Sequence, residues 1–409
     1  MAKKAYHGGA FFNAIGNEFA TLEKVKDIIS ADVLDAWFEP SPKVSSKIKE
    51  YLSFSLKTSP PTQCEGLIKV ISKVRKVPKS NIIVGGGSSD LMFAFFPRIL
   101  KEDESVLILD PSYGEYAHIF KHITKSRIVR HQLKKEDDFN INYTELAQQI
   151  KSESPNLVVL VNPNSPTGKY WGKQHILTLV KRFPKVLFLI DETYIEYIDK
   201  NLSLEKEAVK IQNLAIIKSM SKVYALSGAR VGYMVAHIKI IDKVTSFIPP
   251  WSVSLVAQIA GVEAIKDPVY YSKKYEETHV LRKSMIAELN KIHSIKIYDS
   301  TANFFLIELL DKKFRADHII QKLRKQNIFL RDCTSMSLQF KNNFIRVAVK
   351  NKTTNKHTYE THPQDPAPGH RSHRRPQPRR GRQRVQPSDP ARRSRTPGPP
   401  DDRRSRRQQ

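Results

Sequence analysis

A lysine amine condenses with an aldehyde once it has shed its proton, and Lys222 stands where that is favoured. The run Lys218-Ser219-Met220-Ser221-Lys222 sets two hydroxyls before the amine, and Arg230 follows it by eight residues. A lysine in a cationic, partly desolvated setting deprotonates readily. Arginine adds a planar fork that suits a phosphate. Taken singly, Lys222 also reads as an ordinary surface lysine.

Four further polar clusters each follow an apolar run. Gly85-Gly86-Gly87-Ser88-Ser89-Asp90 leads into an apolar helical stretch. Glycines let backbone approach an anion, and a helix N-terminus supplies free N–H groups. The plainer reading is a turn with a capping Ser or Asp. Asp110-Pro111-Ser112-Tyr113-Gly114-Glu115-Tyr116 offers Tyr113 as a flat surface for a ring, or as a packed aromatic. Asn162-Pro163-Asn164-Ser165-Pro166-Thr167-Gly168 is a proline-held turn bearing side-chain donors. In Ile190-Asp191-Glu192-Thr193-Tyr194 an acid ends an apolar run, which is costly unless the acid is paired. A protonated ring nitrogen is one such partner; solvent is the alternative.

These clusters need a scaffold. From residue 81 onward, apolar runs alternate with helical stretches. The runs are 82–84, 106–109, 157–161, 186–190, 214–217 and 231–235. They lack apolar/polar alternation and predict strands buried on both faces. Segments 88–100 and 143–152 have helical spacing. The alternation predicts an α/β fold with a mostly parallel sheet flanked by helices, and ligands at the carboxyl ends of its strands. After Pro249-Pro250 the sequence predicts a long helical stretch over 253–290. Strands over 302–309 and 344–349 follow, with a helix over 317–326 between them. That is a smaller α/β domain. The boundaries read as an arm and small-domain segment (1–45), a large domain (46–250), a small domain (251–350) and a tail (351–409).

The tail accounts for much of the formal charge of +27. Residues 351–409 hold 14 Arg and 2 Lys against 5 acids, or +11. The remaining +16 is scattered lysine, which reads as a solvated surface or a field for a phosphorylated substrate. Rich in Pro, Arg, Gln and Ser, residues 363–409 predict disorder. The abrupt change from Lys to Arg reads either as a frameshift or fusion junction, or as a nucleic-acid-binding tail. Two cysteines, Cys64 and Cys333, form no metal-ligand pattern. No apolar run reaches membrane-spanning length, and no metal site is expected. A cytoplasmic protein is the expectation.

Together and in this order, the five clusters resemble the class I/II aminotransferases of pyridoxal-phosphate (PLP) fold type I. The nearest branch holds histidinol-phosphate aminotransferase and threonine-phosphate decarboxylase. The resemblance spans residues 6–350 and implies an aspartate-aminotransferase-like fold, PLP and a homodimer. It also implies roles. Lys222 carries PLP as a Schiff base. Asp191 pairs with the ring nitrogen, Tyr194 meets the ring hydroxyl and Tyr113 stacks on the ring. Either Asn164 or Ser165 bonds that hydroxyl. Ser88, Ser89, Ser219, Ser221 and Arg230 hold the cofactor phosphate. Arg346 grips a substrate carboxylate, Arg331 a substrate phosphate, and His7 is a substrate contact.

Four segments depart from the family. Ser165 stands where Asn is usual. Ser59-Pro60-Pro61-Thr62-Gln63-Cys64 replaces a Tyr-Pro-Asp segment, and 35–42 lacks the usual Asn-containing stretch. A C-terminal helix that packs the small domain is replaced by the tail. The implied activity is an aminotransferase acting on an amino acid or a phosphorylated amino compound. The second reading is a threonine-phosphate decarboxylase-like enzyme, favoured by Tyr6-His7-Gly8-Gly9 and by the surroundings of Arg331 and Arg346. A basic nucleic-acid-binding protein and a PLP-binding protein without activity complete the readings.

Overall fold

The computed structural model describes residues 8–16, 19 and 21–361. Among these residues, twelve strands form two sheets. They are β1 (Ile29–Ala31), β2 (Ile82–Gly85), β3 (Ser105–Asp110), β4 (Arg127–Gln132), β5 (Leu157–Val161), β6 (Leu187–Asp191), β7 (Leu214–Ser219), β8 (Gly232–Ala236), β9 (Ile295–Tyr298), β10 (Phe304–Leu309), β11 (Ile328–Asp332) and β12 (Phe344–Ala348).

The larger sheet has seven strands in the order β2-β8-β7-β6-β5-β3-β4. Pairings among β7, β6, β5, β3 and β4 are parallel, while β8 runs antiparallel to both β2 and β7. The uninterrupted apolar runs have a direct cause. Successive side chains along each strand enter different cores. Val158, Leu160, Phe188, Ile190 and Ile216 pack into one, while Val159, Val161, Leu189, Ala215 and Ile217 pack into the other. With helices on both faces there is no solvent side to mark with polar residues. β4 lacks such a run because it is an edge strand of alternating exposure, Arg-Ile-Val-Arg-His-Gln, and the sequence does not announce it.

The smaller sheet has five strands, β1-β11-β12-β10-β9. Its first strand comes from the N-terminal segment and pairs in parallel with β11. The helical stretch expected over 253–290 is two helices, Leu255–Ile265 and Pro268–Leu289. Pro268 at the first turn of the second helix cannot donate into the first, so the chain restarts there.

The expected tail boundary at 351 is too early. Lys352–Glu360 forms a helix, capped by Asn351 Oδ1 accepting from Thr354 N at 2.8 Å. It packs beside the helix Pro268–Leu289. Below its C-terminal end lies an apolar groove of about 260 Å³, lined by Leu289, Ile307, Leu323, Ile345 and Val347, with Thr358 and Thr361 at the rim.

Candidate active site

Register brings the sequence clusters to one edge of the larger sheet. Asp191, the last residue of β6, lies opposite Val161 of β5 and Ile217 of β7. Ser219, ending β7, faces Gly232 of β8, and Gly232 faces Gly85 of β2. The loops after β2, β3, β5, β6 and β7 therefore open on the same side.

The loop after β2 and the entry to β8 are locked together. A Cβ on Gly87 (φ +100°) would come within 2.6 Å of the Arg230 guanidinium. One on Gly232 would come within 2.7 Å of Ser88 N. Both positions thus demand glycine, and both bring Arg230 to the start of the helix Ser88–Ile99. Asp90 Oδ2 accepts from Gly86 N at 2.8 Å and holds the loop in shape. Arg230 Nη1 lies 3.4 Å from Ser221 Oγ and donates to Ser227 O at 2.9 Å. Ser88, Ser89, Ser221 and Arg230 with free helix N–H groups make an anion cradle. Ser219 borders it, but its hydroxyl accepts from Ser221 N and caps the next helix.

That helix, Met220–Val223, carries Lys222. So short a helix leaves its carbonyls without partners of its own. Three tyrosines supply them: Tyr197 Oη donates to Lys222 O at 3.0 Å, Tyr275 Oη to Val223 O at 2.8 Å and Tyr271 Oη to Tyr224 O at 3.2 Å. The lysine backbone is held rigidly while its amine remains partly exposed. Lys222 Nζ donates to Asp35 Oδ1 at 2.7 Å, a partner that sequence reasoning misses.

Asp191 is 4% exposed. Its oxygens accept from Tyr116 Oη at 2.8 Å, Thr193 N at 3.0 Å and Thr193 Oγ1 at 2.6 Å. Burial pushes its carboxyl above the ordinary range, against the pull of those hydrogen bonds. No cation of the described residues pairs with it, so a ring N–H⁺ suits it well. Sequence reasoning also misses Tyr116 and Thr193, although both stand in the quoted motifs. Tyr113, half-buried, shares a hydrogen bond with Ser89, and its hydroxyl is pushed up to about 12 by burial. Tyr194 is buried and meets the Phe304 ring edge-on at 5.1 Å. Arg346, Asp191, Tyr113 and Asp35 all act electrostatically on its hydroxyl.

The choice between Asn164 and Ser165 has a structural basis. Asn164 Nδ2 donates to Pro111 O at 3.0 Å and Thr167 Oγ1 at 3.1 Å, and Oδ1 accepts from Ser112 Oγ at 3.3 Å. Its amide is consumed in bracing the loop. Ser165 Oγ instead accepts from Arg346 Nη1 at 3.0 Å and keeps its own proton to give. Arg346 is buried on β12, and its Nη2 donates to Asp32 O at 3.1 Å. Arg331 lies directly across from it in the β11–β12 pairing. Cross-strand partners share a face, so two guanidinium groups serve one side of the small sheet. His7 lies outside the described residues.

A buried acid, a lysine amine and an anion cradle at the strand ends of an α/β sheet define an enzyme site for a phosphorylated aromatic aldehyde. PLP would fit such a site, with the cradle to take its phosphate, Asp191 its ring nitrogen and Lys222 its aldehyde. Residues 31–360 match the family "Aminotransferase class I and II", and the chain belongs to that family. A histidinol-phosphate aminotransferase of Methanocaldococcus jannaschii is 29% identical over 80% of this chain and 86% of its own. Among solved structures, the histidinol-phosphate aminotransferase of Clostridium acetobutylicum superposes with a TM-score of 0.73 at 26% identity, covering 81% of this chain and 96% of that one. The L-threonine-O-3-phosphate decarboxylase of Porphyromonas gingivalis shares the fold, with a TM-score of 0.71 at 20% identity over 81% of this chain and 98% of its own. The chain is thus a PLP-dependent aminotransferase-family enzyme of the aspartate-aminotransferase fold. No described helix is long and apolar enough to cross a membrane.

Proposed function

We propose that this edge transfers an amino group from an amino acid or a phosphorylated amino compound, with Lys222 as cofactor anchor and proton carrier. The observation that carries the reading is the shared register of Asp191, Ser219, Gly232 and Gly85, which sets acid, lysine and cradle along one line of strand ends. Bound PLP supplies a cationic ring that takes up the electron pair left at the substrate α-carbon.

The protein's own groups do the rest. Asp191 keeps the ring nitrogen protonated, its geometry fixed by Tyr116 and Thr193. Ser88, Ser89, Ser221 and Arg230 hold the phosphate, with Ser219 shaping that corner. Ser165 and Tyr194 serve the ring hydroxyl, and Tyr113 covers the ring face. Arg346 binds the substrate carboxylate. Arg331 beside it adds a second cation for a phosphate, and for a phosphorylated amine without a carboxylate both guanidinium groups serve that phosphate. Lys222 would take the α-proton as general base and give a proton back as general acid. Relatives named for histidinol phosphate make that compound the first substrate to try. The family resemblance also carries a homodimer and a cytoplasmic location into this reading.

The deciding measurement is the absorbance of PLP-treated protein beside its Lys222→Ala variant. The visible band of a lysine-bound cofactor is expected in the parent and lost in the variant. A band that survives the substitution removes Lys222 from its role. An oxo product from histidinol phosphate or threonine phosphate means transamination, whereas CO₂ released from threonine phosphate, the one of the two that bears a carboxylate, means the decarboxylase chemistry.

A further inference from the structure

Lys222 has a charged neighbour that the scheme above leaves without a task. Asp35 Oδ1 lies 2.7 Å from Lys222 Nζ and accepts from Ser227 Oγ at 2.6 Å. The backbone bearing Asp35 is pinned from three sides. Asp32 O accepts from Arg346 Nη2 at 3.1 Å, Leu34 O from Asn303 Nδ2 at 3.0 Å and Asp35 O from Lys350 Nζ at 3.3 Å. A carboxylate on so fixed a strap does not drift when its partner changes. Such a strap would keep the carboxylate beside the Lys222 nitrogen once that nitrogen is bonded to an aldehyde carbon.

Other charges surround the pair. Arg230, ahead of β8, lies near through Ser227 O. Arg346 on β12 and Lys350 after it are cations, and Tyr194 after β6 is a neutral phenol. Asp32, the other nearby acid, is occupied by Gly9 N at 2.7 Å and Ala10 N at 3.1 Å. Asp35 alone of these groups both carries negative charge and touches the amine. Burial pushes the Asp35 carboxyl up, but the Lys222 ammonium and hydrogen bonds from Lys222 and Ser227 bring it below the ordinary range. Burial pushes the Lys350 ammonium down to about 8, with Asp35 opposing that fall.

We propose that Asp35 is a positioning residue that keeps a proton on the Lys222 nitrogen, in the free ammonium and again in the PLP-bound Schiff base. The inference rests on Lys222 being the PLP anchor. Condensation joins neutral amine to aldehyde carbon and releases water, and the linked nitrogen then takes a proton from solvent. An incoming amine attacks the protonated linkage, so Asp35 sets the pH range over which substrate enters. Ser227 supports it by holding the carboxylate oxygen in place.

The test is a pH titration of the visible spectrum of PLP-loaded protein, parent against Asp35→Asn, Asp35→Glu and Ser227→Ala. Asp35→Asn is expected to lower the midpoint by about one pH unit or more, the size expected when an adjacent opposite charge is removed. Ser227→Ala lowers it less, and Asp35→Glu restores most of it. A midpoint unmoved in Asp35→Asn overturns the proposal; should that variant fail to fold, a midpoint unmoved in Ser227→Ala overturns it instead. A second readout uses PLP-free protein and trace acetic anhydride, with Lys222 acetylation followed by peptide mass. Labelling at neutral pH should be about tenfold faster in Asp35→Asn, because the fraction of free amine rises about tenfold for a midpoint one pH unit lower. Equal rates overturn the ion pair's role. A parent without any visible band would sink the anchor reading itself, which separates the two failures.

Discussion

At the scale of single residues, the chemistry is legible where a motif carries it and illegible where a fold assembles it. Lys222, Asp191 and Arg230 stand in runs whose spacing announces them. Asp35 stands 187 positions from Lys222, and only packing brings the two together. Its segment departs from the family, but nothing in the sequence aims it at an amine. Tyr113 and Tyr116 are tyrosines of one motif and look alike there; the helical turn between them sends Tyr116 to Asp191. The glycine-rich loop is ambiguous between turn and cradle in sequence, and the guanidinium packed on Gly87 favours the cradle. Gly87→Ala should therefore force a side chain into Arg230 at a backbone angle that resists it. Strain of about 1–2 kcal/mol is the usual scale for such a position, which corresponds to roughly tenfold weaker PLP binding. Fluorescence titration with PLP checks this, and unchanged affinity would remove Arg230 from the cradle.

At the scale of elements, strands buried on both faces give the clearest signal. Their apolar runs match β2, β3 and β5 to β8 to within a residue or two. Edge elements are lost because half-exposed strands such as β4 look like any polar segment. The antiparallel placement of β8 is also unreadable, since a buried strand carries no mark of its direction. The helix Lys352–Glu360 is hidden by composition: its residues are polar, yet Asn351 caps it and Asn355 ties it to the backbone of Lys350 just after β12. Asn355 Oδ1 accepts from Lys350 N at 2.8 Å, and its Nδ2 donates to Lys350 O at 2.7 Å. Polar Thr358 faces an apolar groove, which is a poor match. Thr358→Leu should fill part of it and stabilise the protein by about 1 kcal/mol, from the apolar area removed from water. Thermal melting should show a rise of about 2 °C or more; a fall would mean that the groove is not open to this helix.

At the scale of the whole molecule, charge and chemistry are separable. Residues 362–409 hold 14 arginines against 4 acids, so their removal lowers the formal charge from +27 to +17. No residue placed in the site lies beyond Arg346, and among the described residues Lys350 is the last to touch it. A chain ending at Thr361 is therefore expected to keep the visible band and its melting temperature while eluting from a polyanion column at lower salt. Loss of the band on truncation would tie the basic segment to the site. The order of the chain adds one more consequence. β8 lies between β2 and β7, so the cradle's two halves come from segments more than a hundred positions apart and join only when β8 inserts. A ribosome must have released β8 before the growing polypeptide can capture PLP at all. On the proposed assignment, the cofactor's berth is then finished while the guanidinium meant for the substrate has yet to be made.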